Sequence, residues 1–224
     1  MISLPRLHVV TDDAVLRDER FRERAEALLD ACGMSLALHL RGHAMTGRVL
    51  HTLGEQLAAI ALRTGAFLLV NDRIDIAMAI RANGVQLGVR SIPAREARHL
   101  LGHGAWIGYS AHGPLEASRA ASEGADFVLL GTIFPTAGHE QRVPLGLERL
   151  EECVRAAPVP VIAIGGVTTE RVASIAASGA HGVAVLGGIW HAHDVMVAAA
   201  EYIAEIRAVY GALPSQPLEN RSSV

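Results

Sequence analysis

The sequence contains no lysine, so all 20 of its permanently basic side chains are arginine. Aromatic residues make up 4% of the chain, and the formal net charge is −3. No basic cluster is present, and phosphate contacts to nucleic acid require clustered cations. The sequence therefore predicts no nucleic-acid partner, and it leaves arginine as the side chain that can hold an anion with a permanent charge.

Long hydrophobic runs and a cysteine framework are also lacking. No apolar run approaches the roughly 18 residues of a membrane span, and residues 1–6 lack the charged and apolar regions of a signal peptide. Cys32 and Cys153 lie in predicted helices without metal-ligand spacing, which gives no support to a disulfide scaffold or a zinc site. We expect a cytoplasmic protein with two buried thiols and no membrane partner.

Half of the residues are apolar, which favours one well-packed domain. Short apolar runs typical of buried strands alternate with amphipathic segments typical of helices. The predicted strands are 7–10, 36–41, 67–70, 85–87, 106–109, 127–130, 159–164 and 182–186. This alternation predicts an α/β fold, a single (β/α)8 TIM barrel over residues 1–212, followed by a flexible tail over 213–224.

A glycine pair ends each of the last two predicted strands: Gly165 with Gly166, and Gly187 with Gly188. Glycine lets a ligand approach the backbone amides, and a nearby helix N-terminus favours an anion. In TIM barrels phosphate commonly binds at the loops after strands 7 and 8. We therefore predict that these glycines bind phosphate, although they could also serve only as tight turns.

The second predicted strand alternates leucines with His39 and Arg41. Because side chains of a strand point alternately to its two faces, the leucines should face the helices and these two residues the barrel interior. Arg41 would lie at the mouth, with His43 just beyond it. An inward arginine predicts an anion ligand, since burying it unpaired is costly; the alternative is an ion pair with Asp72.

Other polar residues stand where predicted strands end. Asn71 and Asp72 follow strand 3, where Asp72 could cap the next helix or bind a ligand. A lone carboxylate makes a weak Mg²⁺ site unless substrate phosphates complete it. Ser110 and His112 follow strand 5, and His112 could be a general acid or base.

Strand 6 is followed by a long loop that could act as a lid. Thr132 and Thr136 lie at its beginning, and His139 lies further along. We expect these residues to approach a bound ligand.

Nine segments, in order from about residue 7 to 190, resemble the thiamine-phosphate synthase/TenI superfamily. They are Leu38-His-Leu-Arg41, Val70-Asn-Asp-Arg-Ile-Asp75, Gly84-Val-Gln-Leu-Gly88, Ser110-Ala-His112, Gly124-Ala-Asp126, Gly131-Thr-Ile-Phe-Pro-Thr136, Pro144-Leu-Gly146, Val161-Ile-Ala-Ile-Gly-Gly166 and Gly182-Val-Ala-Val-Leu-Gly187. The resemblance implies a barrel enzyme that binds a thiazole phosphate, and it suggests a homodimer.

The synthase branch joins a pyrimidine diphosphate to this thiazole phosphate, with Mg²⁺ and basic side chains stabilising the departing pyrophosphate. This chain differs from that branch in three places. His39 and His43 replace the outer residues of Gln-x-Arg-x-Lys, Ser91 stands where a second magnesium carboxylate would lie, and His139 replaces a lysine.

The TenI branch is a thiazole tautomerase, which needs an acid or base but no metal. His39 and the segment Val85-Gln86-Leu87 favour this branch. Thr132 stands where a tautomerase of this branch has its catalytic histidine. The proton would then have to be carried by His39, His43, His112 or His139.

The sequence thus predicts a metal-independent thiazole tautomerase-like enzyme without a cofactor. The alternatives are a Mg²⁺-dependent thiamine-phosphate synthase with Asp72 as a metal ligand, and a non-catalytic binder of a thiamine intermediate. The residues predicted to bind substrate are Arg41, Asn71, Asp72, Ser110, Thr132 and Thr136.

Overall fold

A computed structural model describes residues 3–136 and 143–211. Eight parallel strands form a closed barrel in chain order, which confirms the predicted TIM barrel. The strands are β1 (Leu7–Val10), β2 (Leu36–Leu40), β3 (Phe67–Asn71), β4 (Gly84–Leu87), β5 (Trp106–Ala111), β6 (Phe127–Gly131), β7 (Val161–Ile164) and β8 (Gly182–Val185). The predicted domain end at residue 212 and the tail 213–224 lie outside the described residues.

Helices surround the barrel, between successive strands and after the last one. They are α1 (Asp13–Arg17), α2 (Phe21–Cys32), α3 (Gly47–Thr64), α4 (Ile74–Ala79), α5 (Ala94–Leu101), α6 (Pro114–Ser122), α7 (Gly146–Ala156), α8 (Val172–Ala177), α9 (Gly187–Trp190) and α10 (Val195–Tyr210). None of the helices in the described ranges is long and apolar enough to cross a membrane.

The core has two layers, as expected when alternate residues of a strand face opposite sides. Leu36, Leu38 and Leu40 belong to the larger layer, between the strands and the helices. A smaller cluster fills the barrel interior. Its buried members are Leu4, Val10, Ala37, Phe67, Leu69, Phe127, Leu129, Ile162 and Ala184. The predicted direction of the leucines in β2 is therefore confirmed.

Several helix boundaries differ from those that the sequence predicts. The sequence pattern predicts a helix over 168–178, but the chain forms a 3-10 turn, Thr169–Arg171, before α8. The last helix is predicted from residue 192, yet it begins at Val195, because the Asp194 carboxylate accepts hydrogen bonds from the N–H groups of Met196 and Val197 and caps it there.

Both cysteines are free thiols. Cys153 is buried in α7 and Cys32, at the end of α2, is half-buried. Burial raises the pKa of each thiol to about 11, because the thiolate would lose its hydration. The expectation of two buried thiols is met for Cys153 and only partly for Cys32.

Candidate active site

The carboxyl ends of the eight strands form one mouth of the barrel, where TIM-barrel enzymes place their catalytic groups. The residues predicted from the sequence at strand ends all belong to this end of the barrel. They divide into a glycine side at β7 and β8 and a side-chain region at β2 to β6. His139 lies outside the described residues and stays a prediction.

The first glycine pair is needed by the backbone itself. Gly165 and Gly166 have φ values of 99° and 63°, which side-chain-bearing residues rarely adopt. A Cβ on Gly165 would lie 2.6 Å from Thr132 Cγ2, and one on Gly166 would lie 2.5 Å from the Pro135 carbonyl oxygen. The pair therefore allows the loops after β6 and β7 to pack directly on each other.

The second glycine pair begins the short helix α9. A Cβ on Gly188 would lie 2.4 Å from the Tyr202 hydroxyl oxygen, whereas one on Gly187 would meet His191 at 3.2 Å. No residue in the described ranges accepts a hydrogen bond from the N–H of Gly187 or Gly188. These N–H groups are free to donate to an anion.

Arg41 follows β2 directly and is half-buried. Its backbone is fixed by the Thr11 hydroxyl, which accepts a 2.8 Å hydrogen bond from the Arg41 N–H. Within residues 3–136 and 143–211 the guanidinium makes no ion pair, so the alternative pairing with Asp72 is not found. A half-buried arginine without an ion-pair partner is suited to bind an anionic ligand.

His39 points into the barrel as predicted, but it lies below the mouth and is fully buried. Its Nε2 lies 2.7 Å from Nδ1 of His8, which is also fully buried. Burial lowers the pKa of His39 to about 3, and Asn71 opposes part of that effect. His39 is therefore neutral at pH 7, and its burial does not suit a residue that exchanges protons with solvent or substrate.

Asp72 does not cap the following helix, in contrast to one of the two predictions for it. It adopts a left-handed backbone conformation with φ 62°, so the N-cap position of α4 falls to Arg73, which makes no side-chain cap. The Asp72 carboxylate instead accepts a hydrogen bond from the Ser91 hydroxyl. His43 is near, with its Nδ1 4.0 Å from Asp72 Oδ2.

Ser91 holds this carboxylate while being held itself, since its hydroxyl oxygen accepts a 2.8 Å hydrogen bond from the Gly88 N–H. Asp72 keeps 39% of its side chain exposed. No cluster of three or more potential protein metal ligands occurs in the described ranges. One carboxylate beside a hydroxyl fits Mg²⁺ when substrate phosphate oxygens and water complete the coordination, as is usual for this ion.

His112 and Ser110 lie at the end of β5, on the next part of the mouth. His112 is exposed, and its Nδ1 donates a 2.8 Å hydrogen bond to the Gly131 carbonyl oxygen. A neutral His112 therefore keeps its lone pair on Nε2, where a base would need it. Ser110 is half-buried and accepts a 3.0 Å hydrogen bond from Gln86 Nε2.

Thr132 and Thr136 bound the described part of the loop after β6. Thr132 is buried, follows a cis peptide bond from Gly131, and packs over Gly165. Thr136 is half-buried at the end of this segment. The structure thus gives Thr132 a packing role in addition to its predicted place at the site.

Sequence reasoning missed two buried polar residues beneath the mouth. In the sequence, His8 is part of an ordinary predicted strand, and Gln86 matters only as part of the segment that favours the TenI branch. The signal that could have found them is a polar residue at an inward position of a strand. His39 Nδ1, Asn71 Oδ1 and Gln86 Oε1, on three successive strands, are buried without a hydrogen-bond partner among the described residues.

Comparisons with known proteins agree with this architecture. A model of the family described as "Thiamine monophosphate synthase" (TMP-TENI) matches residues 7–189. The chain is 39% identical over 194 residues to the thiamine-phosphate synthase of Methanoculleus marisnigri, covering 86% of this chain and 91% of the relative. It is 40% identical over 176 residues to that of Synechococcus sp., covering 79% of this chain and 49% of the relative, about half of its length.

A solved structure is similar over almost the whole fold. The structure titled thiamine phosphate pyrophosphorylase from Pyrococcus furiosus superimposes with a TM-score of 0.80 at 31% identity, covering 93% of this chain and 98% of that one. The family match extends across the barrel and includes every described site residue from β2 to β8. The chain therefore belongs to the thiamine monophosphate synthase (TMP-TENI) family.

Proposed function

We propose that the protein is a thiamine-phosphate synthase, which joins a pyrimidine diphosphate to a thiazole phosphate and releases pyrophosphate. The relatives of 39% and 40% identity carry this name, and they favour it over the tautomerase interpretation. The observation that carries the proposal is the Asp72 carboxylate, which is not used as a helix cap and is held at the mouth by Ser91.

The two anionic halves of the substrate pair would bind on different sides of the mouth. The free N–H groups at Gly187 and Gly188 suit the thiazole phosphate, with Gly165 and Gly166 shaping the adjoining loop. Arg41 suits the diphosphate at the end of β2, two strands from β8 around the barrel, because Arg41 is half-buried and its guanidinium has no carboxylate partner among the described residues.

Asp72 and Ser91 would hold Mg²⁺ together with diphosphate oxygens. When bound, the ion neutralises negative charge on the departing pyrophosphate. Arg41 adds a fixed positive charge to the same region, and His43 adds one when it is protonated. The absence of lysine makes this arginine the permanent cation of the β2 end.

The decisive experiment measures thiamine phosphate formation from the two halves with and without Mg²⁺. We expect Mg²⁺-dependent product, and Asp72→Asn should lower kcat/KM by about 100-fold or more, since a lost charged ligand costs on the order of 3 kcal/mol. Asp75→Asn is the matched control, because Asp75 is exposed and pairs with Arg73. Absence of product at every Mg²⁺ concentration would refute the synthase proposal.

One observation favours a thiazole tautomerase as a second candidate. The hydrogen bond from His112 Nδ1 to the Gly131 carbonyl oxygen leaves Nε2 as the basic nitrogen of the neutral ring. This arrangement suits proton abstraction at the mouth. Aromatisation of the thiazole carboxylate, followed by proton NMR without metal, would be abolished in His112→Ala; binding without either reaction would indicate a non-catalytic binder.

A further inference from the structure

Two buried imidazoles in the barrel interior form a chain of hydrogen bonds that the proposed chemistry does not use. His8 on β1 and His39 on β2 are both fully buried, with ring centroids 5.0 Å apart. His39 Nε2 lies 2.7 Å from His8 Nδ1, and His8 Nε2 lies 3.0 Å from the Pro5 carbonyl oxygen. Burial also holds the pKa of both rings below the usual range, so both are neutral.

The direction of this chain follows from its last acceptor. A carbonyl oxygen can only accept, so His8 Nε2 must carry the proton that it donates to Pro5. The neutral His8 then has a bare Nδ1, which accepts from His39 Nε2. His39 in turn has its proton on Nε2, and its Nδ1 is left with a lone pair.

No described residue donates to that lone pair. The Asn71 side chain interacts with His39, but its Oδ1 is itself buried without a partner, and an oxygen of this kind can only accept. Gln86 Oε1, on β4, is in the same state. The orientation of this amide is set because Nε2 donates to the Leu87 carbonyl oxygen at 3.4 Å, in addition to Ser110 Oγ. Leaving such atoms unpaired and buried costs about 1 to 3 kcal/mol each. An N–H or O–H group of a ligand would remove that cost.

We propose that His8 is a positioning residue, which fixes the tautomer of His39 so that His39 Nδ1, with Gln86 Oε1, accepts hydrogen bonds from an N–H donor of a bound heterocycle. In a closed barrel of eight strands, β4 lies opposite β8, so Gln86 is across the mouth from Gly187 and Gly188. The heterocycle is therefore the half that the glycines do not hold. Assigning it to the pyrimidine diphosphate rests on the proposed function.

The tautomer is tested first in the unmodified protein without any ligand. The ¹⁵N chemical shifts of the histidine rings distinguish a protonated from an unprotonated nitrogen, and the His39 signals are assigned by their absence from His39→Gln. We expect unprotonated Nδ1 and protonated Nε2 at pH 7. The opposite pattern, or equal populations, would overturn the proposal, and this result needs neither activity nor a folded His8 variant.

Two substitutions of His8 then distinguish a positioning role from a role in packing alone. In His8→Asn the amide oxygen can still accept from His39 Nε2, whereas His8→Leu removes the acceptor. We expect His8→Leu to lose the fixed tautomer and to raise the Kd for the pyrimidine diphosphate about tenfold, the usual effect of one hydrogen bond. His8→Asn should keep the fixed tautomer and the Kd of the parent protein. In both variants the Kd for the thiazole phosphate should change less than twofold.

The results also distinguish this proposal from the proposed function. If no thiamine phosphate forms but the His39 tautomer depends on residue 8 as described, the positioning role stands and the synthase assignment falls. If thiamine phosphate forms while His8→Leu leaves both the tautomer and the pyrimidine Kd unchanged, the positioning role is wrong and the synthase assignment stands.

Discussion

The two sides of the barrel mouth are built from different parts of the chain. At β7 and β8 the groups that we propose to face a ligand are backbone N–H groups of glycines, most of which pack closely against neighbouring atoms. At β2 to β4 they are side chains, whose state depends on neighbours such as Ser91 and His8. At Gly165, Gly166 and Gly188 an added Cβ would lie 2.4 to 2.6 Å from another atom. The side-chain positions can be substituted without such a clash, but substitution changes their chemistry.

The largest predicted effect is the loss of stability in Gly166→Ala, on the glycine side of the mouth. The added methyl group would lie 2.5 Å from the Pro135 carbonyl oxygen at a φ of 63°. Strain and overpacking together should lower the free energy of unfolding by about 2 to 4 kcal/mol. Gly104→Ala is the control, because a Cβ there would meet no atom of the described residues within 4 Å. Chemical denaturation measures both, and equal stability of the two variants would contradict the packing argument.

Arg41→Ala should weaken binding without weakening the fold. If the guanidinium makes a charged hydrogen bond to an anionic substrate, its loss costs about 1.5 to 3 kcal/mol of binding free energy. Calorimetric titration of each substrate half measures this cost. Arg98→Ala should instead weaken the fold and leave substrate binding unchanged. Arg98 lies away from the mouth and forms an ion pair with Asp126 at 2.6 Å. Unchanged affinity in Arg41→Ala would remove this residue from the site.

Acid should destabilise the side-chain region through its buried imidazoles. The unfolded pKa of histidine is about 6.5, and the folded pKa of His39 is about 3. The unfolded chain therefore binds more protons, and stability is lost as the pH falls from about 6.5 toward 3, by ~1.4 kcal/mol per pH unit for each such histidine. Denaturation of His39→Gln should show a shallower pH slope than the parent protein, and an identical slope would contradict the buried neutral state.

The smallest predicted effect is a gain in the apparent affinity for Mg²⁺. Ser91→Asp would place a second carboxylate beside Asp72, so the Mg²⁺ concentration for half-maximal substrate binding should fall about tenfold. Ser91→Ala removes the hydroxyl that Asp72 accepts from, and it should raise this concentration only a few-fold. Titration with Mg²⁺ at fixed pyrimidine diphosphate compares both variants. A rise in Ser91→Asp would show that the two side chains do not share an ion.

Much of the fold could be predicted from the sequence because buried parallel strands leave a strong local pattern. The leucines of β2 predicted which face of the strand meets the helices, and thereby the inward direction of His39. The glycine pairs predicted the ends of β7 and β8. These features depend on neighbours in the chain, which the sequence shows directly.

The state of the side chains could not be predicted in the same way. Local sequence allows Asp72 to be a helix cap, but its left-handed backbone conformation turns the carboxylate to Ser91, 19 residues away. Local sequence also makes His39 a candidate acid or base, but its burial against His8, 31 residues earlier, does not suit that role. Both outcomes are decided by long-range packing, which local patterns do not contain.

The packing of Gly165 against Thr132, and of Gly166 against Pro135, joins the loop after β6 to the loop after β7. Two further contacts join them: the Phe134 N–H donates to the Gly165 carbonyl oxygen at 3.0 Å, and Arg171 stacks over the Phe134 ring at 4.4 Å. The two loops thus form one packed unit. A chimeric barrel that takes one of them from a relative would have to take the other as well.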